Sequence, residues 1–329
     1  MIQIQSLEDD RSIFEFGYGD IVYDIYGSPV RVIGDKFYNK TMLYRLHYTD
    51  GRSSLHSLDE MIYTRKGKFP IKGLIQNFTP LEVDFFPIKY KHIIGRNLEP
   101  DAYVSGMFLT YGNFDDLHIN LPIRLNRSNF YLSDKYQMDY GMKMKGNLAF
   151  FSYMYSDEII TWKDFFFDKL KEDTLKYHHI PIYIRRSSVN DRWQYIRGAF
   201  DIGYQLDIFL ESECGIGHTE RSRLEEVQLL LWSLGVNSTI ERISWLNKNH
   251  FKFRLLITED SSTFGRFFYN TKLIERMLVN RYSRIKYPPP VNPVRLSHIS
   301  VEGEFPHREL ILEKPSVYIQ TNFLPRVSL

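Results

Sequence analysis

The sequence predicts an α+β fold in which a β-rich body is split by a long insert built on an internal repeat. Three observations predict it. Residues 104–112 (VSGMFLTYG) and 196–204 (IRGAFDIGY) read as two copies of one nonapeptide. Segments of alternating apolar and polar residues, bounded by turn residues, lie toward both ends of the chain, and that period belongs to half-buried strands. Three prolines at 288–290 cannot continue a helix and mark a linker before the closing strands. The predicted organisation is discontinuous, with residues 1–95 and 291–329 forming one body and residues 96–290 the insert.

The elements follow in order. Residues 19–27 (GDIVYDIYG) read as strand, turn and strand, continuing through 29–33, and a further strand at 43–48 runs into the turn Thr49-Asp50-Gly51-Arg52. Each nonapeptide is predicted to be a helix entered through a start signal: Glu99-Pro100-Asp101 before the first copy, residues 187–191 before the second. Gly106 and Gly198 lie at matching places, next to Ser105 and Ala199. Small residues inside a helix cost propensity, so close approach of a second helix is the reason to expect for them. An alternating strand follows each copy, at 117–121 and 206–210, and then an amphipathic helix, at 158–171 and 221–234. The second of these helices has Leu224, Val227, Leu231 and Leu234 on one face and Gly235 as its stop.

At these residues the chain resembles the LAGLIDADG homing endonucleases that are embedded in inteins. YIRGAFD, the later EEVQLLLWSLGVNSTI (225–240) and the upstream HHIP (178–181) are similar to consecutive blocks of that family, with His178 where a lysine is expected. The resemblance implies a pseudo-twofold pair of αββαββα halves whose nonapeptide helices pack together and point their C-terminal ends at double-stranded DNA. It also implies one carboxylate at the eighth position of each copy, to gather the divalent cation that polarises a phosphodiester and activates water. Those positions hold Tyr111 and Gly203. Glycine has no ligand atom, and a phenol with a pKa of about 10 is a poor magnesium ligand at neutral pH. The expectation is a nuclease site without its acids and no cofactor; magnesium would enter only with displaced carboxylates such as Asp116 and Asp207. Asp201, two residues before Gly203, falls on nearly the opposite side of its helix.

The flanks resemble the Hint-fold splicing domain of inteins. SSLHSLDEMIYT (53–64) overlays the block in which that family uses a threonine, and a histidine three residues later, to assist the first bond cleavage. Here those positions hold Ser57 and Glu60, and an ionised glutamate cannot protonate a departing amine. Residues 308–313 and 316–325 are similar to the closing strands, with Val327 and Ser328 in place of the terminal His-Asn pair and Met1 in place of the nucleophile. Cys214, the only cysteine, is a loop thiol far from either end in sequence. The expectation is a protein on an intein plan that is degenerate in both splicing and nuclease residues.

Composition sets the remaining bounds. Of 329 residues, 43% are apolar and 16% aromatic, enough for two ordinary cores, and no apolar run approaches a membrane span. One cysteine excludes an internal disulfide and fits an intracellular, cytoplasmic setting or a virion component. The formal net charge is only +2, whereas duplex binders often carry a basic surplus. Candidate DNA contacts are Asn113, His118, Asn120 and Arg124 on the first half and Arg185, Arg186 and Arg192 before and in the second repeat helix. Three functions fit: a non-cleaving DNA-binding protein, a structural or interaction subunit of a larger phage or viral assembly, and a homing endonuclease with displaced carboxylates. The two internal copies allow a monomer to supply the twofold itself.

Overall fold

The structure is a computed structural model that describes residues 3–5, 10–64, 67–78, 81–82, 102–111, 113–114, 119–123, 140–145, 148–153, 180, 182–203, 213–243, 252–258, 261–268, 294–314, 317–319 and 325–327. The chain divides into two compact units, the first Met1–His92, Trp232–Asn237 and Asn292–Leu329, the second Ile93–Leu231 and Ser238–Val291. Elements are numbered along the chain.

The first unit is built on two long antiparallel strands, β4 (Pro29–Tyr48) and β15 (Leu296–Leu312), paired from Val32 with Leu312 to Tyr48 with Leu296. The other edge of β4 pairs with β3 (Ile21–Tyr23) near its start and with β5 (Ser53–Ser57) near its end. Gly27, with φ 74°, and Gly51, with φ 86°, take the left-handed conformation that the two tight turns need. Smaller pairs complete the unit: β1 (Gln3–Gln5) with β2 (Asp10–Ser12), β6 (Met61–Thr64) with β7 (Gly67–Pro70), and β16 (Val317–Ile319) with β17 (Pro325–Val327). A short helix, α1 (Ile71–Gln76), follows β7.

Sequence alternation at 29–33 and 43–48 marks two strands, but the structure has one. Residues 34–42 (GDKFYNKTM) carry little apolar periodicity, and their extended state rests on backbone pairing to β15 instead of burial. Two apolar clusters flank the paired strands. One gathers Leu46, Tyr48, Ile62, Ile71, Leu74, Leu81, Val294 and Leu296. The other holds Ile4, Ile13, Phe16, Val22, Val32, Leu310 and Leu312. Each draws on both ends of the chain.

The second unit contains α2 (Ala102–Tyr111), the short α3 (Ile182–Arg185), α4 (Val189–Gly203) and, as far as Leu231, α5 (Arg221–Ser233). One antiparallel sheet runs in the order β10 (Tyr140–Lys145), β11 (Leu148–Tyr153), β9 (Ile119–Ile123) and β8 (Asn113–Phe114). A second runs β12 (Gly215–His218), β14 (Phe253–Ile257) and β13 (Ser238–Arg242). The α4 helix begins as its sequence requires: the Ser188 hydroxyl accepts the Asp191 backbone N–H at 3.1 Å and donates to its carboxylate at 2.6 Å. On α5 and the residue just past it, Leu224, Val227, Leu231 and Leu234 are all buried, and Gly235 with φ 74° ends the run. The strand expected at 117–121 is β9, two residues further on. The strand expected at 206–210 and the helix expected at 158–171 lie outside the described residues. None of the described helices is long and apolar enough to cross a membrane.

Candidate functional site

Within the second unit, the two nonapeptide copies form α2 and the C-terminal part of α4, and the two helices pack against each other. Gly106 explains how closely. A Cβ built there would stand 2.8 Å from the Tyr195 carbonyl carbon and 3.0 Å from its Cα, and would overlap its carbonyl oxygen. Only glycine lets the backbones approach this far. Gly198, Ala199 and Ser105 are likewise buried.

The tyrosine preceding each copy reaches across. The Tyr103 hydroxyl donates to the Asp201 carboxylate at 2.5 Å, both groups buried. Tyr195, also buried, has its phenol against Thr110, and burial pushes that phenol well above its ordinary pKa. The sequence did show a tyrosine before each nonapeptide, at 103 and 195, and that repeat was the available signal for these contacts.

The eighth position of each copy, Tyr111 and Gly203, is the last residue of its helix. A helix end carries partial negative charge, so a carboxylate there would concentrate cations. Neither position supplies one, and Asp201 is committed to Tyr103, so these residues do not fit the divalent cation that a cleaving site needs. Thr110, one residue before the end of α2, is held from β12. The Glu220 backbone N–H donates to His218 Nδ1 at 2.9 Å, which leaves Nε2 to donate to the Thr110 carbonyl at 3.0 Å.

The candidate DNA contacts separate on inspection. Asn113 and Asn120 are opposite each other on β8 and β9. Arg185 is half-buried at the end of α3, but Arg186 is 2% exposed and Arg192 fully buried. The burying face of α4 takes Arg192, and the turn before it takes Arg186. His118, Arg124, Asp116 and Asp207 lie outside the described residues.

In the first unit, sequence reasoning marked Ser57 and Glu60 as replacements and missed what surrounds them. Glu60 lies between two imidazoles, with Oε2 2.8 Å from His56 Nδ1 and Oε1 2.6 Å from His307 Nε2. The Ser54 hydroxyl lies 2.8 Å from His56 Nε2, and Tyr48 OH lies 3.4 Å from that hydroxyl. Glu309 Oε1 is 3.7 Å from His307 Nε2 and accepts from the Ser57 hydroxyl at 3.4 Å. Ser54, His56, Ser57, Glu60, His307 and Glu309 are all buried. Strand alternation puts Ser54 and His56 on one face of β5, but nothing local announces that His307 and Glu309 will join them. Of the other splicing-type positions, Val327 is in β17, while Met1 and Ser328 lie outside the described residues. Cys214 is buried immediately before β12.

No protein-family model matches this chain, and no curated protein does. Among solved structures it is similar to the gp41-1 intein, with 19% identity and a TM-score of 0.23 over 26% of this chain and 63% of that one. The Msm DnaB1 intein splicing domain bound with zinc gives 15% and 0.22 over 25% and 63%. I-DmoI in complex with DNA and Ca gives 14% and 0.31 over 58% of this chain and 92% of that one. The chain thus spans less than two thirds of either intein structure. These are likenesses of part of the fold, to inteins and to a homing endonuclease, and no function follows from them.

Proposed function

We propose that the chain is a double-stranded DNA-binding protein that does not cut its target, built on a pseudo-twofold pair of endonuclease-type halves. The observation that carries the reading is the close α2–α4 pair, with Gly106 on the Tyr195 backbone and both eighth positions at helix ends without a carboxylate. The tyrosine contacts support the twofold, since Tyr103 and Tyr195 occupy matching places and each faces a residue near the end of the other helix. The scaffold is kept by its buried contacts, and the two eighth positions offer hydrolytic chemistry no carboxylate.

A second reading, a subunit of a protein assembly, is favoured by the burial of Arg186 and Arg192, which removes two cations from a nearly balanced surface. Selection from a pool of random duplexes at about 50 mM salt separates the two. DNA binding predicts retained duplexes, an affinity that falls linearly on a log–log salt plot, and no cleavage product with magnesium. Failure to retain any duplex, together with a protein partner that co-purifies after nuclease treatment, would select the second reading. A magnesium-dependent product lost in Asp116→Ala or Asp207→Ala would overturn both in favour of a displaced nuclease site.

A further inference from the structure

We propose that Glu60, His307 and Glu309 form a site for a divalent transition cation of the zinc class, independent of any DNA surface. Each residue offers one ligand atom, and these atoms all lie within 4.8 Å of one another. Around a tetrahedral zinc with ligand bonds of about 2.0–2.1 Å, neighbouring ligand atoms stand about 3.3 Å apart. The distances from His307 Nε2, 2.6 Å to Glu60 and 3.7 Å to Glu309, straddle that value. Small side-chain rotations would therefore bring the three atoms to the spacing of three tetrahedral ligands.

Charge gives the second argument. The Glu309 side chain is only 10% exposed, yet its carboxylate meets a hydroxyl at 3.4 Å and an imidazole at 3.7 Å, both long for a buried carboxylate. A proton on His307 Nε2 is directed at Glu60, the nearer acceptor, and Lys36, opposite Glu309 in the β4–β15 pairing, acts on that carboxylate electrostatically from an exposed position. A cation among the three answers both carboxylates at once.

The surroundings are those of a supported ligand set. His56 holds the second oxygen of Glu60 while its far nitrogen meets Ser54, and such outer contacts fix the orientation of a metal-binding carboxylate. A cavity of about 330 Å³, lined by Arg45, Glu302, Leu43, Leu55 and Phe305 among others, reaches the cluster at His307, while Glu60 and Glu309 do not line it. One nitrogen and two oxygens suit zinc or its neighbours, and the imidazole disfavours magnesium.

Titration of the chelator-treated full chain with zinc, followed by calorimetry and thermal melting, tests the proposal. We expect one equivalent bound and a raised melting temperature, with neither effect from magnesium. Glu309→Gln and His307→Gln should each weaken zinc binding at least tenfold, whereas Cys214→Ser should not. No zinc-induced rise in the native chain, or an unchanged affinity in folded Glu309→Gln, would overturn it. Should the variants fail to fold, the native chain with cobalt decides. Visible bands of nitrogen and oxygen coordination support the site, and a thiolate charge-transfer band, or no band at all, overturns it.

Discussion

A single methyl group tests how the two repeat helices are held. Gly106 was legible as a packing glycine because it recurs at Gly198 in matching surroundings, and the structure gives the reason as a backbone contact with Tyr195. In an open helix, Gly106→Ala would gain about 1 kcal/mol in propensity. Here the new Cβ meets backbone, which can give way only if one helix moves, and overpacking of this kind costs about 1–3 kcal/mol or more. We expect a net loss near the upper part of that range, read as a lower urea midpoint with an unchanged slope. A midpoint equal to the wild type would show that the helices are not in contact there. Asp201 was less legible. Its distance from the eighth position follows from helical periodicity, but its partner Tyr103 stands 98 residues earlier, and no local pattern names it.

At the scale of elements, the end of α2 depends on a residue outside the helix. His218 on β12 donates to the Thr110 carbonyl, and burial, the largest cause, lowers its pKa, outweighing the opposing pull of Glu220. The neutral imidazole is thus preferred in the folded state. Above the unfolded value of about 6.5 neither state binds the proton, and the cap contributes fully. As pH falls through 6.5 toward the lowered folded value, the unfolded chain takes up a proton that the folded chain refuses, and stability is lost. The slope from one such group is at most about 1.4 kcal/mol per pH unit. His218→Gln keeps a donor for the carbonyl and removes the titration, so its stability should fall less steeply than the wild type below pH 6.5. His47 is lowered too, by burial first and then by His298 and Arg45, so some slope will remain in the variant. Parallel curves for wild type and variant would remove His218 from the account. The sequence showed the α5 helix and its glycine stop because an apolar face repeats every three to four residues. It could not show this cap, which joins residues 108 positions apart.

For the whole molecule, the first unit is assembled from distant parts of the chain, and that decides which of its features sequence could reveal. Turns such as Gly51 are local and were readable. The cluster of Glu60, His307 and Glu309 was not, because it depends on the register of β4 with β15 across some 250 residues. That register shifts between Val301 and Gly303 and again between Phe305 and His307. Each single-residue shift changes which side chains face the interior, so alternation read along 296–312 alone cannot tell that His307 and Glu309 point inward. The same dependence predicts how the unit fails. A chain ending at residue 291 would lose the partner of β4 along its length, and with it Val294, Leu296, Leu310 and Leu312, each no more than 3% exposed. At about 1.5–3 kcal/mol for each buried side chain, those four alone account for about 6–12 kcal/mol, comparable with the whole stability of an ordinary domain. Hydrogen exchange on the shortened chain should therefore find β4 and β5 unprotected. The α2–α4 pair draws its contacts from the second unit and should keep its protection. Retained protection along β4 would mean that the first unit folds without its closing strand. Loss of protection in both helices would mean that the two units unfold as one.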